Sequence, residues 1–167
     1  MGREDKQAND LFFICSLIEQ IARQTKNKRI DIIKTIGEAE LSRIFGLADV
    51  YHCEPLEHTA SELIERFQIA QGSFDNIGKC KYNIPAVFDI GKVYKRLVLY
   101  VADSRKLEYI PALIEVYSSV VADRIDDYNS SVYFENPDYL QKFFDLGKPP
   151  EIFEADPEVV EKFLKYA

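Results

Sequence analysis

Asn9-Asp10-Leu11-Phe12-Phe13-Ile14-Cys15-Ser16-Leu17-Ile18-Glu19-Gln20-Ile21-Ala22 is the stretch on which the fold turns. Leu11, Phe12, Cys15, Ile18 and Ala22 recur at steps of three and four, so they share one face of an α-helix, and Ile14, Leu17 and Ile21 widen that face. A side-chain oxygen of Asn9 or Asp10 can cap its start. The run ends in Arg23-Gln24-Thr25-Lys26-Asn27-Lys28-Arg29, where cations suit the negative end of the helix dipole and Asn27 can supply a turn.

The same period continues on the C-terminal side. Ile30, Ile33 and Ile36 begin a shorter helix that Gly37 is placed to end, and Leu41, Ile44, Phe45 and Ala48 extend the spacing into a third. Pro55 pushes Glu54 out of helical geometry and opens an amphipathic helix bearing Leu56, Ala60, Leu63, Ile64 and Phe67. Residues 71–88 gather Gly72, Ser73, Asp75, Asn76, Gly78, Asn83 and Pro85, the composition of a boundary or long loop. Phe74, Ile77, Tyr82, Ile84, Val87 and Phe88 interleave with them and predict a loop packed down as anchored chain.

Asp89 reads as the cap of the next helix, with Ile90, Val93, Tyr94, Leu97, Val98 and Val101 inward and Lys92, Lys95 and Arg96 outward. Leu107, Ile110, Leu113, Ile114, Tyr117, Val120, Val121 and Ile125 predict one long helix to about residue 125, with Pro111 tolerated near its start. Residues 126–135 form a polar turn and a short stretch, extended or irregular. Asn136-Pro137-Asp138 is a strong start signal for a helix carrying Tyr139, Leu140, Phe143 and Phe144, closed by Gly147, Pro149 and Pro150. Asp156-Pro157-Glu158 repeats that signal for a last helix, expected to dock on its own core in preference to another subunit. The expected fold is all-α: a compact bundle of about six to eight helices with an ordered, aromatic-rich loop in the middle. It is expected to be a single helical domain over 1–167, with a sub-boundary at 71–88 and an appended C-terminal helix at 156–167.

Composition narrows the function. The chain has 167 residues, 47% hydrophobic, with 11 Phe, 10 Tyr and no Trp, enough apolar surface for a well-filled core. Cys15, Cys53 and Cys80 are widely spaced and form no C-x-x-C pair, so they read as reduced thiols. Met1 to Asp10 is polar, with no secretory leader expected, and no apolar run approaches membrane-spanning length; a cytoplasmic protein without membrane contact is expected. The net charge of −7 disfavours loose binding to nucleic acid. It is laid out in blocks: residues 37–78 and 120–167 are acidic, whereas 79–106 carry seven basic and two acidic side chains. Such blocks are expected to be solvated faces packed side by side, or, on a sharper reading, an acidic docking surface for a basic partner.

Reactive constellations are scarce. His52, Cys53 and His58 lie close in sequence but lack metal-ligand spacing, so no metal site and no cofactor are expected. Only two histidines exist to serve a nucleophile, and the glycines are isolated, which removes G-x-S-x-G and phosphate-cradling loops. Neither histidine follows an arginine at the spacing of helical toxin-type ribonucleases. The segment least explained by core packing holds Asp126, Asp127, Tyr128, Asn129, Tyr133 and Phe134, with Asp123 just before it. Hydrogen-bonding acceptors mixed with aromatics of exposed type are enriched at binding surfaces, and these seven residues are the candidate interaction site.

Phe12-Phe13-Ile14-Cys15, the Tyr51-His52 pair and the amphipathic segment to Phe67 resemble a family of small uncharacterised helical bacterial proteins, over about the first 70 residues. Asp89–Arg96 and Tyr128–Pro137 have the look of a recurrent protein of low-GC Gram-positive bacteria. Members of the helical family that the first 70 residues resemble are often encoded beside a predicted toxin of ADP-ribosyltransferase type, so that resemblance implies a toxin as partner. The expected function is a non-enzymatic protein-interaction domain, the antitoxin-like or accessory partner of a bacterial toxin, with a homo-oligomer left open. The alternatives are an enzyme acting on a nucleotide-like ligand at a cleft of Asp126, Asp127 and Tyr128, and a DNA-binding regulator using the basic strip Arg23, Lys26, Lys28, Arg29 and Lys34, joined by Lys92, Lys95 and Arg96 if the two helices align.

Overall fold

The apolar face that opens at Leu11 belongs to a helix longer than its cap signals imply. In the computed structural model, which describes residues 3–151 and side chains from residue 6, helix α1 spans Arg3–Thr25. Asp10 therefore lies inside it, buried and bonded to Lys6 one turn earlier at 3.1 Å. Leu11, Ile14, Cys15, Ile18, Ile21 and Ala22 are all fully covered. The helix ends at Lys26, which takes the left-handed conformation (φ 56°), while the Asn27 side chain ties the turn to Thr25 Oγ1 at 2.9 Å and to the Ala70 carbonyl at 2.8 Å.

Helices α2 (Arg29–Ile36), α3 (Glu38–Gly46), the one-turn α4 (Ala48–Tyr51) and α5 (Leu56–Arg66) pack around one side of α1. Helix α6 (Val87–Arg105) packs most extensively against α1. It also packs against α7 (Tyr109–Tyr117), which touches α2 and α3 as well, and against α9 (Pro137–Leu146); α8 (Val120–Ile125) lies between these two in sequence. The α1–α6 crossing depends on Gly91: a Cβ there would lie 2.2 Å from Ser16 Oγ and 3.0 Å from Ser16 N, so only glycine lets the helices meet this closely.

Nine α-helices and a 3-10 turn at Val132–Phe134 make up the elements among the described residues, and no strand occurs there. The all-α expectation holds, with two further local differences. The stretch 107–125 is two helices, because Ser118 Oγ bonds the Ile114 carbonyl at 2.6 Å and Ser119 Oγ bonds the Val116 carbonyl at 2.5 Å. These hydroxyls compete with the backbone ladder, Ser119 turns extended, and Val120 leaves the apolar face to become half exposed. Helix α6 starts at Val87, so Asp89 sits in its first turn and does not cap it. Asn136 caps α9 as expected, accepting from Tyr139 N at 2.9 Å, and Gly147 closes it at φ 68°. The helix expected at 156–167 lies outside the described residues. Among the described residues no helix is long and apolar enough to cross a membrane.

The 71–88 segment is tied to the end of α1 by Gly72 N to the Thr25 carbonyl and Phe74 N to the Lys26 carbonyl, both 2.8 Å. Its anchors are Phe74, Asn76, Ile77 and Pro85; Tyr82, Ile84 and Phe88, expected to point down, are exposed.

Candidate functional site

Glu19 stands on the buried face of α1, a carboxylate among Cys15, Ile18 and Ala22. The turn after α1 folds the chain back so that Arg29, the first residue of α2, returns to it. Arg29 Nε donates to Glu19 Oε1 at 2.8 Å and Arg29 Nη2 to Oε2 at 2.6 Å, a bidentate pair with both side chains 1% exposed. Arg23, one helical turn beyond Glu19, donates to Oε2 at 2.6 Å and uses its other end on the Pro85 carbonyl at 2.8 Å. The Tyr128 hydroxyl arrives from after α8 and donates to the same oxygen at 2.5 Å. Four donors therefore converge on one carboxylate.

A second carboxylate lies beside this cluster. Asp126 Oδ1 accepts from the Tyr94 hydroxyl at 2.5 Å, and its backbone carbonyl accepts from Asn76 Nδ2 at 2.9 Å. The Asn76 carbonyl oxygen reaches Arg29 Nη2 at 3.4 Å, linking the two groups. The Tyr94 ring stacks on Tyr117 with centroids 4.0 Å apart.

Burial alone would raise the Glu19 pKa, but the Arg29 charge and hydrogen bonds, aided by Arg23 and Tyr128, outweigh it and hold this carboxyl below the usual range. Asp126 goes the other way: burial pushes it up to about 7, against the pull of Arg29 and with the repulsion of Glu19. Tyr94 and Tyr128 are raised by burial and by the neighbouring carboxylates, so both stay protonated donors.

Two recesses open toward this cluster. One, of about 160 Å³, is lined by Phe74, Asp75, Asn76, Lys79, Asp123, Asp126, Asp127, Tyr128 and Asn129. The other, of about 150 Å³, shares Phe74, Asp123 and Asp126 and adds Lys28, Arg29, Ile30 and Tyr117. Five of the seven residues singled out from sequence thus border one cleft. Asp123, Asp127 and Asn129 are exposed at its rim, and Asn129 fastens it to the 71–88 segment by accepting from Lys81 N at 2.8 Å and donating to the Lys79 carbonyl at 3.0 Å. The aromatics depart from the expected surface role: Tyr128 and Tyr133 are buried, and only Phe134, 77% exposed, faces solvent.

The sequence reading missed Glu19, Tyr94 and Asn76, and it placed Arg29 on a solvent-facing basic strip. Burial removes Arg29 from any DNA contact, and Arg23 spends its guanidinium inside the fold. The available signal was Glu19 itself, a charge on an otherwise apolar face that demands a buried partner. His52 packs against Phe13 with ring centroids 4.4 Å apart. His58 meets Glu54 at 3.1 Å and Glu62 at 3.8 Å, so these three are a grouping with the donor types of a metal site; all are exposed and at ion-pair distances.

The arrangement defines an all-α bundle whose centre is a carboxylate–guanidinium–phenol cluster opening on an acidic cleft. Compared with known proteins, the chain matches no family model, no curated protein and no solved structure.

Proposed function

We propose that this chain is a non-enzymatic protein-interaction domain, with the acidic cleft at 123–129 as the surface that receives a basic segment of its partner. The observation that carries this reading is the division of labour within the segment. Asp126 and Tyr128 are engaged by internal hydrogen bonds, while Asp123, Asp127 and Asn129 are exposed at the rim of the cleft. The inner residues make a rigid platform; the outer ones present charge and acceptors. Surface complementarity of this kind steers encounter and selects partners. The resemblance of the first 70 residues supports a toxin of ADP-ribosyltransferase type as the partner, with this chain its antitoxin-like or accessory half.

Affinity capture from the native host checks this. Wild-type chain and an Asp123→Lys/Asp127→Lys variant with an unchanged circular dichroism spectrum serve as baits. The wild type is expected to retain a basic partner that the variant loses. Capture of nothing beyond the chain itself, or equal capture by both baits, defeats the reading.

A second reading, an enzyme acting on a nucleotide-like ligand in this cleft, has Asp126 held near neutrality beside a recess in its favour. Four carboxylates on the lining work against a phosphate group there. Amide shifts at 123–129 on titration with nucleoside diphosphates would favour it, and their absence removes it.

A further inference from the structure

The segment opposite in sign to the rest of the molecule has a physical organisation of its own. Residues 79–106 carry seven cations and two acids in a chain of net charge −7. Phe88, Lys92 and Lys95 follow one another at i, i+4 and i+7, which aligns them as a stripe on α6. Phe12 of α1 lies beside that stripe, 5.8 Å from the Phe88 ring and 5.9 Å from the Lys95 ammonium. Phe88 is 54% exposed and Ile84, just ahead of the helix, 48%. Bulky apolar side chains left in water beside cations are the composition of a contact surface.

The cations here are uncompensated. Arg23, Arg29, Arg43, Arg66 and Arg105 all pair with carboxylates, but among the described residues Lys92, Lys95 and Arg96 pair with none. Partial burial and then the repulsion of Arg96 and Lys92 depress the Lys95 pKa, as befits crowded like charges.

We infer that the face formed by Phe12, Ile84, Phe88, Lys92, Lys95 and Arg96 is a docking surface for an acidic amphipathic segment of a partner protein. Carboxylates at helical spacing would meet the three cations, and an aromatic or aliphatic anchor would cover Phe88 and Ile84. Charge complementarity selects a short acidic segment over the longer polyanions. A nucleic-acid strand or an anionic bilayer extends past the roughly 8 Å over which charge is felt at physiological salt, and so is opposed by the excess of acid in a chain of net charge −7. This surface shares no residue with the acidic cleft, so each stands or falls alone.

The test uses the full chain, immobilised, to select binders from a display library of random peptides. Enriched peptides are expected to be acidic and to carry aromatic or aliphatic anchors. Their binding, followed by fluorescence anisotropy, is expected to weaken roughly tenfold or more in Lys92→Glu/Arg96→Glu and likewise in Phe88→Ser. Both variants change exposed positions, and thermal melting checks that each remains folded. Enrichment of nothing, enrichment of neutral or basic peptides, or equal binding to wild type and variants overturns the inference. So does tighter binding of oligothymidylate or of phosphatidylglycerol vesicles than of the selected peptides.

Discussion

Glu19 is where the largest single-residue effect is expected. Replacing it with Gln keeps the shape but leaves the Arg29 guanidinium buried without a counter-charge, a change that typically costs about 3–5 kcal/mol. Urea denaturation of Glu19→Gln reads this directly; a loss well under 1 kcal/mol would show that the pair contributes little. The two carboxylates also respond oppositely to pH. Asp126 binds its proton more tightly in the folded chain, at about 7 against 3.8. Between those values the native state holds a proton that the unfolded chain lacks, so stability falls as pH rises through that window and then levels. Glu19, held below 4.5, contributes fully above that value and loses its contribution as pH falls through its lower native value. Stability is therefore expected to peak in mild acid. Asp126→Asn should flatten the decline toward neutrality, a difference of a few kcal/mol at most, measurable as urea midpoints across that range. Asp126 and Tyr128 were legible in sequence as unusual residues, yet not as inward-facing ones. Their orientation is set by Tyr94 and Glu19, far away along the chain.

Helix identities were legible because each apolar stripe buries locally, whereas helix ends were not, because small polar groups decide them. Asn136 announced itself through the proline that follows; Ser118 and Ser119 did not, since serine breaks a helix only where its hydroxyl turns back onto a carbonyl. The close approach of α6 to α1 was equally hidden, because one isolated glycine permits it. Gly91→Ala must separate α6 from α1 or displace Ser16, and a loss of about 1–3 kcal/mol is expected. Ser16→Ala removes a buried hydroxyl that finds no hydrogen-bond partner among the described residues, so it should be close to neutral and should relieve part of the Gly91→Ala penalty. Thermal melts of the two single variants and the double give the coupling; strict additivity would place the tight spot elsewhere.

At the scale of the whole molecule, the cleft unites Arg29 after α1, Phe74 in the central segment and Asp126 after α8. No local pattern encodes such a meeting, which is why composition marked residues 123–129 but not the Arg29 and Phe74 that complete the lining. The central segment, suspected as a boundary, is bonded both to the end of α1 and to Asn129. Fragments 1–70 and 71–167 expressed separately are therefore expected to lack native helicity by circular dichroism, since each would expose half of the Glu19–Tyr128 cluster and of the α1–α6 contact. A natively helical, cooperatively melting fragment would establish an independent unit.

The face-to-face contact of Tyr94 with Tyr117 gives the molecule a built-in optical gauge. Lacking tryptophan, the chain emits through its phenols alone, and two of them form a rigid chiral pair at the centre while Tyr128 touches a carboxylate that quenches it. Loosening of the interior thus registers as brighter emission and a fading near-ultraviolet signal, without any label attached.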